Sequence, residues 1–214
     1  MLSQKLWPWA AALFLTVCSQ AATLSDNLNA TTDYTELIKG STFITAGFQT
    51  DSFSYTLTAV TALMQQDAPG ILSLGLYFNA AQPSANDLGS QPGTFVGSLT
   101  SSGGYPSALG QVTFGGNSLQ LSPDTTYWLV MSAPASGTYE WAYAGDNTGS
   151  GAGFYPSWGV STDAGRSWYT SDLQPMQMRV TADPVSSVPE PGVSSLLLVG
   201  LALVGVKRLK FFSR

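Results

Sequence analysis

Thr125-Thr126-Tyr127-Trp128-Leu129-Val130-Met131 is the strongest strand signal in the chain. Its residues are β-branched, aromatic or large and apolar, the composition that suits a pleated, half-buried surface. Ser122-Pro123-Asp124 just ahead of it is a turn by composition. Working upstream, residues 52–64 alternate, which places Phe53, Tyr55, Leu57, Ala59, Thr61 and Leu63 on one face. Residues 42–50 read as a strand with a glycine bend at Gly47. Asp67-Ala68-Pro69-Gly70 is a turn into residues 71–78, where Leu72, Leu74, Leu76 and Phe78 share a face. Downstream, residues 133–137 resemble a hairpin loop leading into a strand over 138–144.

The remaining segments extend the same pattern. Residues 24–40 read as a first strand with a loop, with Leu24, Leu28, Leu37 and Ile38 as its buried contacts. Residues 82–93 lack periodicity, carry two prolines and read as a surface loop. Short strands are expected over 95–100, 112–114 and 118–121. Beyond a Gly-rich loop at 145–153, others follow over 154–160, 166–170 and 176–182. About eleven strands at roughly 8–14-residue spacing, with no convincing helix among them, predict an all-β domain, a β-sandwich or jelly roll.

Composition agrees. The sequence has 214 residues, with 8 Lys and Arg against 13 Asp and Glu. Five of the cations, Lys5, Lys207, Arg208, Lys210 and Arg214, sit in two apolar ends, leaving only Lys39, Arg166 and Arg179 between them. All 13 acids lie from Asp26 to Glu190, so the middle of the chain carries a net charge of −10. Such a surface repels phosphate, so nucleic acid is excluded as a partner. The single cysteine, Cys18, lies in the leader, so no disulfide framework forms and the sheet core must supply the stability.

The two ends read as targeting segments. Lys5, the apolar run 6–17 and Ser19-Gln20-Ala21 form a secretory signal, with cleavage between Ala21 and Ala22. A lipoprotein signal ending in Cys18 is the alternative, and Val17 fits it poorly, because that position normally takes Gly, Ala or Ser. At the other end Pro189-Glu190-Pro191 precedes an uncharged run, 193–206, and then the basic tail Lys207, Arg208, Lys210 and Arg214. As a helix that run is about 21 Å long against about 30 Å of hydrocarbon, which makes it a poor permanent span. A core helix would not end in such a tail; an ordinary tail anchor is the other reading. The chain therefore divides into a signal (1–21), a β-sandwich ectodomain (22–185) and a linker with a C-terminal segment (186–214). In this reading the ectodomain is flanked by an N-terminal signal helix and a C-terminal hydrophobic helix.

The order Pro-Glu-Pro, apolar helix, basic tail resembles the PEP-CTERM sorting signal of Gram-negative surface proteins. That resemblance implies an exosortase-type membrane protease as partner and cleavage near Pro189, Glu190 and Pro191. It further implies export by the secretion machinery, an inner-membrane-attached precursor held through the C-terminal helix, and final release to the cell surface or extracellular matrix. Leu121-Ser122-Pro123-Asp124 with Thr125 to Val130 is similar to the choice-of-anchor ectodomains, which implies a secreted β-sandwich whose ligand is generally unknown, while the PEP-CTERM resemblance implies exopolysaccharide-rich surroundings. The role expected from this is structural or adhesive, with a carbohydrate-binding module as the alternative.

Few residues carry chemistry. With no histidine and no cysteine beyond the leader, Ser-His-Asp, Cys-His and ordinary zinc sites are excluded; no catalytic site, metal or cofactor is expected. A glycoside hydrolase needs only two carboxylates, for which Glu140, Asp146, Asp163 and Asp172 are the candidates. Asp146-Asn147-Thr148-Gly149-Ser150-Gly151 offers oxygens but lacks the alternating acids of a calcium loop. Ser161, Asp163, Gly165 and Trp168 match an Asp-box pattern, expected to be a structural turn. Aromatic residues cluster in the last third, and Trp141, Tyr143 and Trp158 are the candidates for stacking on sugar rings.

Overall fold

The computed structural model describes residues 21–80 and 90–185. The expected signal helix, the Pro189-Glu190-Pro191 motif, the C-terminal helix and the basic tail Lys207, Arg208, Lys210 and Arg214 lie outside the described residues, as does most of the loop expected over 82–93.

Thirteen strands and no helix make up the described residues. In chain order they are β1 (Ala22–Asp26), β2 (Thr32–Ile38), β3 (Phe43–Gln49), β4 (Tyr55–Ala68), β5 (Ser73–Ala80), β6 (Gln91–Ser101) and β7 (Gly110–Gly115). Then follow β8 (Gln120–Leu121), β9 (Thr126–Ser132), β10 (Thr138–Ala144), β11 (Phe154–Ser161), β12 (Tyr169–Ser171) and β13 (Met178–Pro184). The fold is all-β and sandwich-like, and its pairings are antiparallel.

One sheet is built around the long β4. On one side β4 pairs with β13 over its first half and with β10 over its second; on the other it pairs with β8 and β7. β1 extends this sheet beyond β13, and β2 extends it beyond β10. The second sheet runs β5-β9-β3-β11-β12. β6 belongs to both, since it follows β5 up to Leu99 and then places Thr100 and Ser101 opposite Gly115 and Phe114 of β7.

Strand periodicity explains the core. Ile44, Ala46 and Phe48 of β3, Tyr127, Leu129 and Met131 of β9 and Leu74 and Leu76 of β5 face inward from the second sheet. They join Leu57, Val60, Ala62 and Met64 of β4 and Val112, Phe114, Val180 and Ala182 of the first sheet in one buried cluster. Phe48 and Tyr127 stack within it at 5.5 Å. The decisive strand is thus the middle of the second sheet, buried on both sides. Trp128 and Val130 point away from the core and are nonetheless covered, Trp128 by the edge of Tyr155 at 6.3 Å.

Four expectations need correction. The alternation over 52–64 changes face midway: Tyr55 and Leu57 are buried, but then Val60, Ala62 and Met64 rather than Ala59, Thr61 and Leu63, and Phe53 is 61 % exposed. The cause is a β-bulge. Thr181 lies opposite Ala59 while Ala182 lies opposite Leu57, so Thr58 is an extra residue. Its hydroxyl donates to the Thr181 carbonyl at 2.8 Å, which holds the bulge. Residues 24–40 form two strands, not one, and Leu37 is 45 % exposed because it lies on the outward face of β2. Gln91, Pro92 and Gly93 belong to β6, not to a loop; Pro92 sits at a bulge, where a ladder tolerates a missing N–H. Residues 133–137 are not a hairpin loop, because β9 lies in the second sheet and β10 in the first; the segment crosses between sheets.

Candidate functional site

The open edge of the molecule brings together the end of β10 with β2 and the end of β11 with β12. In β10 the inward residues are Tyr139, Trp141 and Tyr143, directly opposite Ile38, Glu36 and Tyr34 of β2. Residues opposite one another share a face, so this row runs from core to solvent. Tyr139 and Trp141 are fully buried, Tyr143 is half-buried, and Tyr34 is 67 % exposed.

Two of the three aromatics expected to stack on sugars meet here. The Tyr143 and Trp158 rings are stacked, 6.0 Å apart and 9° from parallel, although β10 and β11 belong to different sheets. Tyr34 tilts against Tyr143 at 6.3 Å. Trp141 is the correction. Its ring has no exposed surface, and its indole N–H donates to the Gln177 carbonyl at 2.9 Å, so it is core.

The rim is held by polar contacts. The Trp158 indole N–H donates to the Leu173 carbonyl at 2.8 Å, fixing the ring. Asn147 ties the 145–150 loop to the next one, donating to the Asp172 carbonyl and accepting from the Gln174 N–H, both at 2.8 Å. The Gln174 side chain donates to Asp33 at 2.9 Å. Asp33 is itself a bulge residue, since Tyr143 pairs with Tyr34 and Ala144 with Thr32; the bulge re-aims its carboxylate toward Gln174. Leu173, 62 % exposed, completes the rim beside Trp158.

Two carboxylates act on these rings. Burial lifts the Glu36 carboxyl above its ordinary value, and no hydrogen-bond partner faces it among the described residues. The Tyr143 phenol is raised by burial first and then by the negative charges of Asp33 and Glu36. The three cations of the described residues lie elsewhere. Lys39 is in the β2–β3 turn, Arg166 is in the 162–168 turn beside it, and Arg179 is held by Asp26 at 2.8 Å.

The remaining candidate residues make local contacts. Asp163 accepts from Ser161 Oγ, from the N–H groups of Arg166 and Ser167, and from Ser167 Oγ at 2.6 Å. Those bonds hold its carboxyl down to about 2. Gly165 takes φ +83°, and Trp168 lies beneath it. These contacts make residues 161–168 a self-contained hairpin turn. Glu140 points to the outer face, where Thr35 and Gln65 donate to it. Asp146 accepts from the Thr148 N–H at 2.9 Å, a local turn. Among the described residues no three His, Cys, Asp or Glu side chains gather where they would hold a metal ion.

Sequence reading missed Tyr34, Asp33, Glu36 and Leu173. The alternation Tyr34-Glu36-Ile38 is the available signal, within residues 24–40, which read as a first strand with a loop. Compared with known proteins, the chain matches no family model and no curated protein.

Proposed function

We propose that the chain is an exported envelope or extracellular-matrix protein with a β-sandwich ectodomain, structural or adhesive in role, whose adhesive contact is a polysaccharide. The observation that carries the contact is the Tyr143–Trp158 stack with exposed Tyr34 beside it. Flat rings held by stacking, and in Trp158 by a hydrogen bond, lose little freedom when a pyranose lies against them, and the neighbouring carboxylates and amides supply acceptors and donors for its hydroxyls. Export and sorting rest on the two ends of the sequence: the leader cut at Ala22, and the PEP-CTERM-like segment removed near Pro189-Glu190-Pro191 by an exosortase-type protease. A purely structural role is the second reading, favoured by how much of the aromatic content is core.

The test is binding of the purified protein to polysaccharide from a bacterial envelope, read by calorimetry. Tyr34→Ala and Trp158→Ala should each weaken binding at least tenfold while leaving the β-sheet circular dichroism unchanged. Unchanged affinity in both variants would remove the contact and leave the structural role. The processing part is tested by intact mass: surface-located protein that still carries Lys207 to Arg214 would identify an ordinary tail anchor.

A further inference from the structure

We infer that the Tyr34–Tyr143–Trp158 edge recognises a positively charged group, and that its ligand is an amine-bearing polysaccharide, a de-N-acetylated hexosamine polymer. This rests on the polysaccharide reading above and names the class of sugar.

Three features of one place point the same way. The faces of stacked and tilted aromatic rings carry negative electrostatic potential and attract cations, most strongly where solvent is partly excluded. Tyr143 touches two other rings, stacking with Trp158 and tilting against the exposed Tyr34. Glu36 enters from the inward face of β2, between Tyr34 and the core, as a half-buried carboxylate without a hydrogen-bond donor among the described residues. Partial burial penalises its charge, and an arriving opposite charge offsets that penalty. Asp33 adds a second negative charge, aimed by its bulge and held by Gln174.

The described residues supply no cation here. Lys39 and Arg166 sit in two turns that are joined by the Ala164 N–H to Ser41 carbonyl bond, at the opposite end of β2 from Tyr34. Arg179 is already paired with Asp26. A uronic or sialic sugar would meet two like charges and no partner. A neutral sugar would stack and donate hydroxyls but bring no opposite charge to Glu36. An ammonium on the sugar ring meets both requirements, because its charge reaches the carboxylates while the ring's apolar face lies on Trp158 or Tyr34.

The experiment uses the full-length chain in detergent and three polymers: a poly-N-acetylhexosamine, the same polymer de-N-acetylated, and a polyuronate. The amine form should bind at least tenfold tighter than the acetylated form at low salt, with the gap closing as salt rises. Glu36→Gln should erase most of that gap, weakening the amine form far more than the acetylated form. Asp183→Asn, which removes the same charge from an exposed position at the far end of β13, should leave the gap intact. Equal binding of the amine and acetylated forms, or preference for the polyuronate, overturns the inference and leaves the polysaccharide reading standing. A gap lost equally in Asp183→Asn and Glu36→Gln, or an oligolysine that binds as tightly as the amine polymer, shows attraction to net charge alone and also overturns it. Binding of no polymer at all overturns the polysaccharide reading as well.

Discussion

Tyr143 and Trp158 stack 6.0 Å apart and 9° from parallel, and they come from different sheets. The pair joins the two sheets at an edge where, among the described residues, neither β2 nor β12 pairs with a further strand. It serves two purposes, sealing the core behind it and presenting ring surface to solvent. A double-mutant cycle of Tyr143→Ala and Trp158→Ala should give a coupling of about 0.5–1.5 kcal/mol in urea unfolding. Tyr34→Ala alone should stay within about 0.5 kcal/mol of the parent, because Tyr34 is largely exposed. Zero coupling would mean that the rings are neighbours without being partners.

Trp141 behaves differently. Trp141→Ala should cost about 3–5 kcal/mol, as expected for a large side chain removed from a closed core. Trp141→Phe should still cost about 1–3 kcal/mol, since the Gln177 carbonyl loses its indole donor. Thermal and urea unfolding measure both. A Trp141→Phe variant as stable as the parent would show that the carbonyl finds another donor.

Gly47 is fixed by close approach. A Cβ there would meet the Tyr155 ring at 2.7 Å, and that ring is the cover over Trp128. Gly47→Ala should cost about 1–3 kcal/mol and shift tryptophan emission to the red as Tyr155 swings away. Unaltered emission would show that Trp128 is sealed by other groups.

Glu36 gives a pH signature. Its carboxyl is raised from 4.5 by burial, so the native state holds the proton longer than the unfolded chain does. Its ionisation therefore subtracts stability as pH rises from 4.5 through the raised native value, and subtracts nothing below 4.5. Glu36→Gln should raise Tm slightly at neutral pH and leave it unchanged near pH 4 (both read by scanning calorimetry). A lower Tm at neutral pH would mean that the carboxylate is already compensated in the free protein.

Asp163 has the opposite sign. Its carboxyl falls from 3.8 to about 2 because Ser167 and Ser161 donate to the ionised form. The turn it organises gains stability above pH 3.8 and loses it as pH falls toward 2. Asp163→Asn should remove this acid-dependent step from the exchange of the Arg166 and Ser167 amides. A native Asp163 that titrates at its ordinary value in side-chain NMR would contradict the bonding described.

How much of this could be read from the chain depended on distance along it. The strand through Tyr127 and Leu129 and the turn at 161–168 are set by neighbouring residues, so their composition is enough to place them. The bulges at Thr58 and Asp33 come from pairing with distant strands, and a period of two cannot announce where an extra residue is inserted. Trp141 and Tyr143 share one face of one strand, and only the position of β10 against the sheet edge decides which is core and which is rim. Tyr143 and Trp158 meet across a gap between sheets, a relation that no local pattern contains.

The pairing of first and last strands governs how the molecule bears load. β13 lies between β1 and β4, begins beside Tyr143 through the Tyr143–Met176 bridge, and ends at Pro184, one residue before the last described one. Its seven residues span about 20 Å from the aromatic edge to that end. For a protein held beyond residue 185 and gripped at Trp158, tension runs lengthwise along β13, and the hydrogen bonds on both its flanks resist together, in shear. Tension applied between Ala22 and Ala182, which face each other, instead opens the β1–β13 ladder one pair at a time, like a zip. Single-molecule extension from the two attachment choices should therefore rupture at a high force in the first case and at a low force in the second, and equal forces would show that β13 is not the strand that carries the strain.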